Sequence, residues 1–279
     1  MQALSLAVVL LLSAAVYGGH PAKPNKPTKK PHPTPSPYVE KLVDYGASNG
    51  TVLEGYLVYP RSANQHGKKF PAVIEFHAFT GRTEFDNQKA RDLAKLGYVA
   101  FASDVYGKGV ATNDTNANFA LMGQMLSERT TTLQTRIRAA WNYVRQLPYV
   151  DSQKIGCIGF CFGGLTCLDL ARFDVGLQAA VSFHGTLTDY PGNNTAIGAS
   201  IQAHHGDIDP HTTNADAEAF LDEMRERDAD WHFTSYSDAM HAFTMPGVEN
   251  LGIPGAAYNE KAATRSWRYM QSFLAEKLL

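Results

Sequence analysis

From Lys154 to Ala171 the chain reads Lys-Ile-Gly-Cys-Ile-Gly-Phe-Cys-Phe-Gly-Gly-Leu-Thr-Cys-Leu-Asp-Leu-Ala, an apolar strand-like run, a turn built from glycines and a helical run. Few folds accept that order. Gly159-Phe160-Cys161-Phe162-Gly163 has the Gly-x-nucleophile-x-Gly form of a strained strand-to-helix elbow, with Cys where Ser is usual. Small flanking residues let strand and helix pack closely. The turn lifts one side chain to the carboxyl edge of a sheet and aims backbone N–H groups at the same spot. The expected consequence is a reactive thiol at Cys161.

The rest of the chain fits such a sheet. Strands are expected at 51–59, 71–76, 98–103, 154–160, 179–183, 200–204 and 231–236, several of them continuous Val/Ile/Phe/Ala runs suited to burial on both faces. Helices are expected between them at 87–96, 131–147, 163–171, 215–227 and 259–278. In the second of these, Leu133, Ile137, Trp141 and Val144 recur at helical spacing. Alternating strands and helices imply an α/β fold, a mostly parallel sheet flanked by helices. The 51–59 run alternates apolar and polar residues and is expected as an antiparallel edge. The polar, Gly-rich stretch 104–118 is the candidate mobile loop over the site. Residues 39–279 amount to one domain, with no room for a large lid domain.

With 44% hydrophobic and 19% charged residues the composition is that of an ordinary globular protein, and a net charge of −2 gives no hint of nucleic-acid or membrane-surface binding. The apolar run Leu4–Val16, followed by Gly18 and Gly19, reads as a secretory signal peptide over 1–19; it is too short for a membrane span. Residues 20–38 are Pro- and Lys-rich and read as an extended linker. Three N-x-[ST] sequons, at Asn49, Asn113 and Asn193, fall in turn-like stretches. A secreted, extracellular protein is therefore expected. The three cysteines are not a disulfide framework; Cys157 and Cys167 read as buried small hydrophobes, leaving Cys161 free.

A thiol nucleophile needs a base, and the base an orienting acid. Loops after later strands supply both. His205-Gly206-Asp207-Ile208-Asp209-Pro210 follows one strand, and Asp238-Ala239-Met240-His241-Ala242-Phe243 follows the next. Loops at strand carboxyl ends meet above the sheet, so Cys161, an acid and His241 can converge there. The first loop offers two carboxylates, Asp207 and Asp209.

Four stretches, Gly159-Phe160-Cys161-Phe162-Gly163-Gly164, Gly206-x-x-Asp209-Pro210, His241-Ala242-Phe243 and Ile74-Glu75-Phe76, make the chain resemble the dienelactone hydrolase family of α/β-hydrolases over residues 40–279. The resemblance implies an α/β-hydrolase fold and hydrolysis of small esters or lactones by a Cys161–His241–Asp209 triad, Asp209 being favoured over Asp207 by its place before Pro210. It implies an oxyanion hole from the backbone N–H groups of Phe76 and Phe162, and a role for Glu75 in keeping the resting thiol protonated. The archetype grips a substrate carboxylate with arginines, one of them four residues after the catalytic His. Here that position is Met245, which leaves Arg82 or Arg129 as candidate cations, with Tyr106 as a candidate pocket wall.

Other readings remain. The same fold can serve as a non-catalytic binder of a small ligand, and the same machinery as a thioesterase. The run His204–His211 holds potential metal ligands but lacks an HExxH helix or paired cysteines, so neither metal nor cofactor is expected. A monomer is the default, with a small ester or lactone as its partner.

Overall fold

A computed structural model describes residues 36–48, 50–64, 67–192 and 195–279. The expected leader, most of the linker, Asn49 and Asn193 lie outside them. Residues 36–279 form one compact unit.

Eight strands make one sheet: β1 (Tyr38–Ser48), β2 (Thr51–Pro60), β3 (Phe70–Phe76), β4 (Val99–Ala102), β5 (Val150–Phe160), β6 (Ala179–Phe183), β7 (Ser200–Gly206) and β8 (Trp231–Tyr236). Their order is β1-β2-β4-β3-β5-β6-β7-β8. β1 and β2 pair antiparallel, as do β2 and β4, and every other neighbouring pair is parallel. Among the described residues six α-helices flank the sheet: α1 (Glu84–Lys95), α2 (Thr115–Ser127), α3 (Gln134–Arg145), α4 (Phe162–Arg172), α5 (Asn214–Glu226) and α6 (Glu260–Leu278).

Strand parity divides the core. Val73, Ala100, Ile158, Val181 and Phe183 pack with Leu93 of α1 and Met270 and Leu274 of α6. Ile74, Phe101, Cys157 and Ile201 pack on the other face with Ile137 of α3, Leu168 of α4 and Phe220 of α5. A sheet covered on both faces explains why its central strands read as unbroken apolar runs.

Four expectations need correction. The edge strand is β1, in a stretch before residue 51 for which no strand is expected from the sequence. β2 lies between β1 and β4, and its alternation is weak because five consecutive residues, Gly55–Tyr59, are buried. The 104–118 stretch is not a loop throughout. The Asp104 carboxylate accepts the amides of Tyr106 and Gly107, and Asp114 caps α2 by accepting the amide of Ala117. The 131–147 helix begins as a π-helical turn, Arg129–Leu133, before α3. Finally, Cys157 and Cys167 are joined in a disulfide. Cys157 points to the face that α4 covers, where Cys167 meets it, and Cys161 is left as the free thiol.

Candidate active site

The elbow is built by glycines where no Cβ fits. A Cβ on Gly159 would lie 1.9 Å from the Gly163 carbonyl oxygen, and one on Gly163 would lie 1.9 Å from that of Phe76. These close approaches hold β5, α4 and the end of β3 together. Between them Cys161 takes φ 55° and ψ −117°, a region that non-glycine residues rarely occupy. Its amide donates to the Phe183 carbonyl at 3.0 Å, and its half-buried sulfur stands at the start of α4.

The acid loop follows β7. Asp209 Oδ1 accepts the amides of His211 at 2.7 Å and Thr212 at 3.1 Å, leaving Oδ2 to accept from His241 Nδ1 at 2.8 Å. The histidine loop follows β8 and is fixed by backbone. His241 donates its amide to the Gly255 carbonyl and accepts from the Ala257 amide at its own carbonyl. Gly206 permits the two loops to touch, since a Cβ there would lie 2.5 Å from the Ala239 carbonyl oxygen. The other ring nitrogen, His241 Nε2, lies 3.1 Å from Cys161 Sγ. Thiol, imidazole and carboxylate thus form one continuous relay, and it is Asp209, not Asp207, that closes it.

The electrostatics favour a charge-separated pair. Burial pushes the Cys161 thiol up, but the positive His241 ring beside it and the Phe162 and Phe79 amides outweigh burial and bring it below its ordinary value. Burial lowers His241, but the sulfur's negative charge and the Asp209 hydrogen bond push it up to about 10. Asp209 is raised by burial, yet its bond to the imidazole, the His241 charge and its two amide bonds leave it lowered overall. Behind His241 lies His184, buried, with its ring edge-on at 5.4 Å and Nε2 at 2.7 Å from Thr244 Oγ1. Burial, then the charge on His241, holds His184 well below its ordinary range, so it stays uncharged.

Two expected contributors lie elsewhere. Phe76 ends β3, with its carbonyl packed against Gly163; the second amide at the sulfur, beside that of Phe162, comes from Phe79, three residues further on. Glu75 faces α1, fully buried against Asp86. Burial, then that carboxylate, pushes its carboxyl well above the usual range, and it is not among the groups that most shift the thiol, which are His241 and the Phe162 and Phe79 amides.

Neither candidate arginine is a free cation. Arg82 is bonded to Glu54 and Asn87. Arg129 grips Asp169 with two nitrogens at 2.7 and 2.8 Å, in a network that continues through Arg172 to Glu223 and Arg227. Met245, at the archetypal arginine position, packs with Val248 and Ala256. Tyr106 is close to the site but behind it, its hydroxyl donating to the Phe79 carbonyl at 3.1 Å and its ring against Phe162. Of the other imidazoles in this run, His204 of β7 bonds the Tyr236 hydroxyl and His211 in the loop after it bonds the Pro254 carbonyl. Of the sequons, Asn113 is the one within the described residues, and it is exposed.

Comparison with known proteins agrees with this architecture. The profile of the family described as "Dienelactone hydrolase family" matches residues 53–278. A structure described as a dienelactone hydrolase-like promiscuous phosphotriesterase from metagenomic libraries is 32% identical, with a TM-score of 0.81, covering 88% of this chain and 100% of that one. An uncharacterised protein of Caenorhabditis elegans is 43% identical over 155 residues, 54% of this chain and 98% of its own. A Bradyrhizobium protein named "Probable 2-oxo-3-(5-oxofuran-2-ylidene)propanoate lactonase" is 30% identical over 212 residues, 72% of this chain and 82% of its own. The parallel sheet, the elbow and these matches together make the chain a member of the dienelactone hydrolase family, α/β-fold hydrolases of esters and lactones.

Proposed function

We propose that this chain is a cysteine-type hydrolase of small esters or lactones, with Cys161 as nucleophile, His241 as the proton carrier and Asp209 as its orienting acid. The observation that carries the reading is the unbroken relay, Sγ to Nε2 at 3.1 Å and Nδ1 to Oδ2 at 2.8 Å. The Cys161 thiolate attacks the acyl carbon and the C–S bond forms. Charge passes to the carbonyl oxygen, which the Phe162 and Phe79 amides receive. Collapse breaks the C–O bond, and His241 gives its proton to the departing alkoxide. Water then attacks the thioester, yielding a proton to His241. The acid leaves and the thiolate returns.

A substrate carboxylate has no arginine waiting at Met245, and Arg82 and Arg129 are both paired. This supports uncharged esters and lactones over the charged substrate of the archetype. The phosphotriesterase relative supports adding a phosphotriester to the panel. The proposed location is extracellular, supported by the apolar leader and by the Cys157–Cys167 disulfide, a bond that persists in oxidising compartments. Recovery of processed protein from the medium of expressing eukaryotic cells, against retention of the uncleaved chain, tests that part.

The activity is tested by turnover of short activated esters, lactones, thioesters and a phosphotriester. Cys161→Ala and His241→Ala are each expected to abolish it without unfolding the protein. Mass spectrometry of quenched wild-type enzyme is expected to find the acyl group on the peptide containing Cys161. A wild-type protein inert on the whole panel, with a thiol unreactive to alkylation, overturns the reading in favour of a ligand-binding protein. Selective turnover of thioesters reassigns it as a thioesterase.

A further inference from the structure

His77 is fully buried, and the relay does not use it. Its ring is held at both nitrogens. Nε2 lies 3.2 Å from the Val105 amide, which can only donate, so Nε2 is the acceptor and Nδ1 carries the hydrogen. Nδ1 in turn lies 2.6 Å from the carbonyl oxygen of Ala78. That carbonyl belongs to the same planar peptide unit as the Phe79 N–H, the group presented to Cys161 Sγ. In a trans peptide the C=O and N–H point in opposite directions. A donor fixed on the oxygen therefore sets where the N–H points and, by polarising the amide, strengthens it as a donor. The Gly81 amide gives the same oxygen a second bond at 3.2 Å, and the Tyr106 hydroxyl holds the next carbonyl, that of Phe79.

We infer that His77 is a positioning residue for the oxyanion hole: through Nδ1–H it orients and polarises the Ala78–Phe79 peptide, which stabilises the oxyanion. Val105 selects the tautomer that makes this possible. His77 itself touches neither the sulfur nor the substrate. The inference rests on the ester-hydrolase reading above, since a binder forms no oxyanion.

The test compares three variants in the full chain, on whichever short ester the wild type turns over. His77→Asn keeps an amide N–H near the Nδ1 position. His77→Gln places its amide near Nε2, where it can accept from Val105 but does not reach Ala78. His77→Phe keeps only the ring volume. Expected for Gln and Phe is a fall in kcat of about 10- to 100-fold with KM within about threefold, a part of the loss that follows removal of a whole oxyanion donor. Asn is expected to stay within about fivefold of wild type. Alkylation of Cys161 by iodoacetamide, which passes through no oxyanion, is expected to stay within about threefold throughout.

Wild-type kcat in His77→Gln overturns the inference. So does a loss of turnover matched by an equal loss of alkylation, which is a general disturbance of the site, and so does an Asn variant no better than Phe. Should His77→Phe fail to fold, the Asn and Gln pair decides. Failure of the underlying reading is distinct, because it appears as an inert wild type before any variant is made.

Discussion

Asp209 and Glu75 are both buried carboxylates near the carboxyl edge of one sheet, and they are driven in opposite directions. Asp209 receives three N–H groups, from His211, Thr212 and His241, and is held below its ordinary value although burial raises it. Glu75 has no N–H donor on either oxygen and faces Asp86; burial and that neighbour push it well above its ordinary value. Burial alone therefore does not say whether an acid is charged. Donors decide it, and only the charged acid can orient and stabilise an imidazolium.

Activity is where the two should differ most. Asp209→Asn is expected to reduce kcat on the order of 10³-fold, because the amide cannot stabilise the charged ring and permits the wrong tautomer. Glu75→Gln is expected to leave kcat within about threefold, since Glu75 is engaged with α1 and not with the sulfur. Steady-state kinetics on one ester decides both. A Glu75→Gln variant as crippled as Asp209→Asn would restore to Glu75 the thiol-modulating role that its position denies.

Alkylation against pH gives the next largest contrast. With His241 in place the thiol titrates below the ordinary value of 9.0, so alkylation should already be fast at neutral pH. His241→Ala removes the charge and the hydrogen bond that do most to lower the thiol against its burial, so the midpoint should move upward from the wild-type value. Glu75→Gln should not move it. An unchanged profile in His241→Ala would mean that the sulfur is not paired with the ring at rest.

What sequence alone revealed follows the same divide between local and distant causes. The elbow is legible because Gly159 and Gly163 are required by contacts within one strand-turn-helix unit, and the two partner loops are legible because each directly follows a strand. Phe79 was missed because β3 ends at Phe76 and the chain runs on to a turn at Ala78–Gly81 before its amide meets the sulfur. No local pattern marks which N–H points there. Glu75 was misplaced by parity: with Val73 it faces α1, while Ile74 and Phe76 face the opposite side. The same parity, read forward, puts Cys157 on the face α4 covers and would have suggested its bond to Cys167. β1 was hidden because its exposed residues, such as Glu40, Lys41 and Leu42, resemble the linker before it. Much of α2 was hidden because its polar N-terminal approach resembles a loop.

The smallest effect separates the two acids by stability. Asp209 is lowered in the fold, so its contribution is fully present above its ordinary value of 3.8 and is lost as pH falls through the folded value. Glu75 is raised, so above its ordinary value of 4.5 the unfolded chain releases a proton that the fold retains. Its presence therefore destabilises progressively as pH rises from there toward the folded value. Glu75→Gln removes the titrating group while keeping the shape. It is expected to raise Tm at pH 7 by a few degrees, roughly the shift a 1 kcal/mol gain gives a domain of this size, and to do nothing at pH 4. Thermal melts of both proteins across that range measure the difference. Equal melting at pH 7 would mean that Glu75 finds a donor or ionises at no cost, and the contrast with Asp209 would then lie in function alone.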